Sequence, residues 1–210
     1  MAPATPRPAA SLILLRRGGK HRQREVEVLL VRRSPEASFM PGVWVFPGGV
    51  VEADEPVAPE VEARGGTADG EELAHQACAV RELQEEAGIE LSADVQLLPW
   101  SRWITPEVVP VRFDTRFYVA LAPPHSPPKP DGAETTDAAW ISPREALDRH
   151  AAGALSLVFP TIKHLESLLP YSSAEEVLAA ARGRRIDPIL PRVVGKDQER
   201  RVVLPGEPGY

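Results

Sequence analysis

Apolar and polar positions divide the chain into short segments with distinct periods. Residues 10–15 form an apolar run that predicts a strand, ended by a turn at Gly18-Gly19. Residues 25–32 first alternate polar and apolar (Glu25, Val26, Glu27, Val28) and then turn continuously apolar, the pattern of a strand entering a core. A third short strand is expected over 43–46, stopped by a turn at Pro47-Gly48-Gly49. The stretch 53–70 mixes Pro, Gly, Ala and acids without apolar period and reads as a surface loop, longer than a compact domain carries without a functional reason. Residues 71–87 contain neither Pro nor Gly and predict a helix, with Gly88 as its stop.

Further on, 95–104 and 112–121 read as strands joined by a Pro-interrupted link at 105–110, and the prolines between Pro123 and Gly132 make a stiff loop. Residues 138–141 predict another strand. Ser142-Pro143-Arg144-Glu145 is a helix start, with a capping Ser, a first-turn Pro and an acid next. Helices are expected at 161–169 and 173–182, and a terminal hairpin pairs 192–194 with 200–204 around Gly195-Lys196-Asp197. No repeat is visible. Strands interleaved with helices predict an α/β fold, a mixed sheet carrying helices on its faces.

The helix at 71–87 carries the candidate chemistry. Glu82, Glu85 and Glu86 stand at i, i+3 and i+4 and so share one face, while Leu73, Val80, Leu83 and Ala87 fall opposite and can pack on a core. These acids occupy the last turn, where the helix dipole disfavours negative charge, so they are badly placed for stability alone. Crowded carboxylates repel unless a cation joins them, and hard oxygen ligands suit Mg²⁺ or Mn²⁺ rather than zinc.

Composition narrows the partners. The chain has 210 residues, of which 43% are hydrophobic and 26% charged, ordinary values for a soluble globular protein. Residues 1–10, rich in Pro and Ala, are expected to be disordered, with one domain and its C-terminal extension over 11–210. A net charge of −6 argues against nucleic acid as partner. Cys78 is the only cysteine, which excludes an intrachain disulfide and makes a reducing cytoplasm the natural compartment. The apolar run at 11–15 is too short for a signal or a membrane span, and Pro208-Gly209-Tyr210 matches no peroxisomal or retention address.

Phe46-Pro47-Gly48-Gly49, followed by Arg81-Glu82-Leu83-Gln84-Glu85-Glu86-Ala87-Gly88-Ile89, resembles the signature of the Nudix hydrolase family. The resemblance implies a Nudix-type α/β/α sandwich with a mixed sheet and divalent-metal-dependent hydrolysis of a nucleoside diphosphate linked to another group. It also implies the site. The carbonyl of Gly48 joins Glu82, Glu85 and Glu86 around one to three Mg²⁺ or Mn²⁺ ions, and Arg81 holds a Glu oxygen in place. Glu85 is the preferred general base and Glu134, on a later loop, its competitor. The family pattern puts a Glu before the Arg with seven residues between them. Here the count reaches Leu73, because the 53–70 segment expands that interval, and Glu52, Glu55, Glu71 or Glu72 could substitute. A homodimer is common in the family.

A second likeness concerns the substrate. Leu29-Leu30-x-x-Arg33-Ser34-x3-Ser38-x3-Gly42-x3-Phe46-Pro47-Gly48-Gly49, with the long insertion and the stretch 112–118, resembles the coenzyme A diphosphatase branch, although that branch has Arg at Ser38 and Thr at Val31. Coenzyme A and its acyl derivatives therefore lead, followed by nucleotide sugars, NADH and dinucleoside polyphosphates. A non-catalytic nucleotide sensor is the rival from another class. Arg32, Arg33 and Arg112 flank strand ends and could clamp phosphates, with Phe46 and Gly49 as further substrate contacts. Trp44, Trp100 and Trp103 are candidates to stack on adenine. Trp140 and Cys78 read as packing residues, and the five histidines show no ligand spacing.

Overall fold

The computed structural model describes residues 3–17, 25–37, 39–59, 61, 69–195 and 200–210. The expected turn at Gly18-Gly19, Ser38, most of the insertion beyond Pro59 and Lys196-Asp197 of the terminal turn lie outside the described residues.

Ten strands and four helices follow in the order β1 (Arg7–Arg17), β2 (Val26–Arg33), β3 (Trp44–Val45), β4 (Gly48–Val50), α1 (Gly70–Ala87), β5 (Leu98–Ile104), β6 (Phe113–Leu121), β7 (Thr135–Ile141), α2 (Pro143–Ala151), α3 (Phe159–Leu168), α4 (Ala174–Ala181), β8 (Pro188–Ile189), β9 (Arg192–Val194) and β10 (Arg201–Val203), among the described residues. Eight strands form one mixed sheet in the order β3-β2-β1-β6-β5-β8, with β4 also paired to β1 and β7 to β2. Strand β1 is central. It runs parallel to β6 on one side (Ala10 opposite Arg116) and antiparallel to β2 and β4 on the other (Leu15 opposite Val28, Ala10 opposite Gly49).

The two faces of the sheet explain why β1 and β2 become continuously apolar. Ile13, Leu15, Val28 and Leu30 face a core with Phe46, Trp100, Leu165 and Val177, the last two from α3 and α4. Leu12, Leu14, Leu29 and Val31 face the other core, built with Cys78, Ala79, Leu83 and Ala87 of α1. The result is the expected α/β/α sandwich. Helix α1 is closed at both ends by its own sequence: the Asp69 carboxylate accepts from Glu72 N, and Gly88 adopts φ 62° with its N–H on Gln84 O. Ser142 and Ser173 cap α2 and α4 through their hydroxyls.

Three expectations need correction. Arg7 already opens β1, so residues 7–10 are sheet and not disordered terminus; their partners are Phe113 to Arg116 of β6, which no local reading reveals. Gly48-Gly49 is not a turn but most of β4, paired with Ser11 and Ala10. The stretch after Ala53 is not wholly surface loop, because Glu55 and Val61 are buried. The two-residue β8, beside β5, was too short to carry a period.

Candidate active site

Strand β4 and the last turns of α1 meet where β1 is flanked by glycine. A Cβ on Gly48 would lie 2.4 Å from the carbonyl oxygen of Ala10, and one on Gly49 would lie 2.0 Å from Oε1 of Glu82. Neither glycine has positive φ. Both are needed for space, so that strand and carboxylate can approach the same backbone. Gly48 N–H donates to Oε2 of Glu86 at 3.0 Å, which fixes the carboxylate against β4.

The three helix acids sit at different depths. Glu82 and Glu86 are buried, whereas the Glu85 side chain is 59% exposed. Burial pushes the Glu86 carboxyl up to about 8, against the Gly48 N–H and with the charge of Glu82 adding to the rise. Burial also raises Glu82, although the adjacent Arg81 opposes it. Glu134 adds its negative charge to both, which places it on the same site although it comes from the segment before β7.

Arg81 joins these groups. Its Nη1 donates to Glu82 at 2.8 Å and Glu85 at 2.9 Å, its Nη2 reaches Val50 O at 3.3 Å, and Nε and Nη2 fork onto the two oxygens of Glu55 at 2.8 and 3.1 Å. Burial alone would raise Glu55, yet the Arg81 hydrogen bond, Glu52 N–H and the Arg81 charge bring it below the ordinary carboxylate value. Of the acids that could substitute at the family's Glu position, Glu55 is the one that meets Arg81. Glu71 and Glu72, the other candidates, pair with Arg116 instead, and Glu52 contributes its backbone N–H to Glu55 at 2.9 Å. Counting back from Arg81 stops at Leu73, short of the insertion, whereas Glu55 lies at the far end of that segment and reaches Arg81 only because the segment folds back.

Beside this cluster lies a polar cavity of about 500 Å³, lined by Arg7, Glu52, Arg81, Glu82, Glu85 and Glu134 among others. Arg7 was missed because it fell in the segment expected to be disordered. Several sequence candidates lie elsewhere. Phe46 is core, edge-on to the His164 ring at 6.0 Å on the face away from α1. Arg112 is buried, its guanidinium bound to Thr105 O at 3.0 Å and Ala4 O at 2.7 Å. Arg32 and Arg33 hold the loop before β3 through the carbonyls of Gly42 and Phe39. Arg33 stays close enough to Glu86 for its charge to act on that carboxyl. Trp100 and Trp103 are buried and offer no stacking face, while Trp44 is half-buried against the same core. Cys78 is buried filler, its thiol pushed up to about 12 by burial and by the charges of Glu82 and Glu55.

Among the described residues no three acids or imidazoles converge as a ready cage; the Arg81 guanidinium is the cation lying between Glu82 and Glu85. The donor chemistry nonetheless fits a hard divalent ion. Two carboxylates are buried with raised pKa, a third stands at the rim, and all three come from about one turn of α1. Without a cation such a cluster resists ionisation, and with one it does not.

Fold and cleft define the class as an α/β/α sandwich with an acidic helix-end site. Residues 5–159 match the NUDIX domain, so the chain belongs to the Nudix family of hydrolases, whose members act on nucleotide-containing diphosphates and generally use divalent metals. It is 28% identical to "putative nudix hydrolase 7" of Caenorhabditis elegans, over 97% of this chain and 74% of that protein. It is 24% identical to the human acyl-coenzyme A diphosphatase NUDT19, over 87% of this chain and 72% of that protein. A NUDIX hydrolase of Alicyclobacillus acidocaldarius, known as a crystal structure, shares 27% identity and superposes with a TM-score of 0.71 over 83% of this chain and 96% of its own. No helix among the described residues is long and apolar enough to cross a membrane.

Proposed function

We propose that this protein hydrolyses the diphosphate of coenzyme A or its acyl derivatives, with Mg²⁺ or Mn²⁺ as cofactor. The observation that carries the reading is that one helix end presses Glu82 and Glu86 against the Gly48-Gly49 strand while Glu82 and Glu85 line the adjoining polar cleft. The likeness to proteins named acyl-coenzyme A diphosphatase supports the choice of substrate.

Glu82, Glu85 and Glu86, with the Gly48 carbonyl, would hold the metal. A divalent cation there neutralises phosphate oxygens and lowers the pKa of water. The chain's own groups divide the remaining work. Gly49 leaves room for Glu82 beside the strand, and Glu55 holds Arg81 so that its far edge orients Glu82 and Glu85. Glu85, exposed at the rim with one oxygen on Arg81, keeps its other oxygen to take a proton from the attacking water. Glu86 is unsuited to that task because burial and the Gly48 N–H tie it to the wall. Water adds to one phosphorus, the P–O–P bridge breaks, and adenosine 3′,5′-bisphosphate and 4′-phosphopantetheine, or its acyl derivative, depart.

The test is a panel of coenzyme A, acyl-coenzyme A, nucleotide sugars, NADH and dinucleoside polyphosphates, with Mg²⁺, Mn²⁺ or chelator, products read by mass. Coenzyme A species should turn over fastest, and only with metal. Glu85→Gln should lower kcat by roughly 10²–10⁴ with the fold intact. Unchanged turnover in that variant would remove Glu85 from its role.

A further inference from the structure

The cleft poses an electrostatic problem. Glu52, Glu82, Glu85 and Glu134 line it, against Arg7 and Arg81. Arg81 is already bound to Glu55, Glu82 and Glu85. Arg7 is exposed and, among the described residues, its guanidinium has no carboxylate partner.

Its backbone, by contrast, is held on both sides. Arg7 N–H donates to Arg112 O at 2.9 Å, and the Pro8 carbonyl accepts from Val51 N at 3.0 Å, next to Glu52 in the cleft wall. Arg112 in turn grips the segment before Arg7 through Ala4 O and ties it to the β5–β6 link through Thr105 O. A buried guanidinium donating to backbone carbonyls is a costly way to hold a segment unless that segment must stay put. What it keeps in place is one uncommitted cation at the mouth of an acidic cleft.

We infer that Arg7 binds the diphosphate of the substrate and that Arg112 is the residue positioning it. This rests on the proposed function only in that the ligand is a nucleotide-containing diphosphate. A fork-shaped guanidinium matches phosphate oxygens, and charge-assisted bonds of this kind are among the stronger ones.

The probe is α,β-methylene-ADP with Mg²⁺, whose bridge does not hydrolyse, measured by calorimetry beside steady-state kinetics on coenzyme A. Arg7→Gln should weaken probe binding roughly 10- to 100-fold. KM should rise by a similar factor, kcat change less and the melting temperature stay the same. Arg7→Lys should recover part of the binding. Arg112→Gln should reproduce the binding loss, through a displaced Arg7, and should add nothing further in the Arg7→Gln background. Probe affinity within about twofold of wild type in a folded Arg7→Gln protein overturns the inference, as does equal loss in the Lys and Gln variants. If the probe binds through Arg7 but coenzyme A is not cleaved, the substrate assignment alone falls. If coenzyme A is cleaved and Arg7→Gln changes neither binding nor KM, the Arg7 role alone falls.

Discussion

Replacing Glu55 by alanine removes the carboxylate on which Arg81 hangs. The Glu55 side chain is 1% exposed and that of Arg81 23%, so the pair is largely out of water. Deleting one partner of a buried ion pair costs about 3–5 kcal/mol. Arg81 keeps Glu82 and Glu85 and some solvent contact, which brings the expectation down to about 2–3 kcal/mol. That range includes the Glu52 N–H left without its acceptor, about 1 kcal/mol. Glu55→Gln keeps an oxygen for one donor and should cost about half as much. Urea unfolding near neutral pH reads both numbers, with the slope unchanged if only stability moves. Because Glu55 titrates below its ordinary value of 4.5, its contribution is fully present above that pH and is lost as the pH falls through the folded value. The gap between wild type and Glu55→Gln should therefore narrow in acid. Released from Glu55, Arg81 is free to fold further over Glu82 and Glu85, so kcat should fall about 10- to 100-fold. If Glu55→Ala unfolds within about 0.5 kcal/mol of wild type and turns over normally, the anchoring role is wrong.

Two other outcomes follow from the same geometry. Gly49→Ala drives a methyl to 2.0 Å from the Glu82 carboxylate, a movable side-chain end, whereas Gly48→Ala strikes the Ala10 carbonyl at 2.4 Å, which is backbone. The first should cut turnover at least about tenfold with a near-normal melting temperature; the second should destabilise the β1–β4 pairing, and the reverse pattern in melting and kinetics would refute the distinction. His164 is buried with Nδ1–H on Pro160 O and Nε2 accepting from Ser101 Oγ, both at 2.6 Å, and burial brings it down from 6.5 to about 4. Its contribution is whole above the unfolded value near 6.5 and fades as pH drops toward 4, a loss reaching about 3 kcal/mol. Stability measured across that range should lose this slope in His164→Phe, and an identical slope in both proteins would count against it.

Much of this protein was legible in the chain alone. Amphipathic and continuously apolar runs marked β1, β2, α1 and the two strands after it, because burial on two faces leaves that pattern whatever the neighbours are. Asp69, Gly88, Ser142 and Ser173 set helix ends through bonds to residues within four positions, so they too are local facts. The acids of α1 could be placed on one turn from the helical repeat. Their depth could not: Glu86 is buried and Glu85 exposed because β4 covers one side of that turn, and β4 is held by β1, nearly forty residues upstream. The same holds for Arg112, which looked like a phosphate clamp and is an anchor for Ala4, and for Phe46, which stands beside the glycines in sequence and points into the opposite core. Strand pairing and burial join residues that are distant along the chain. Arg7 and Glu55 therefore acquired their places only when β1 lay beside β6 and the insertion folded back on Arg81, contacts that no local period records.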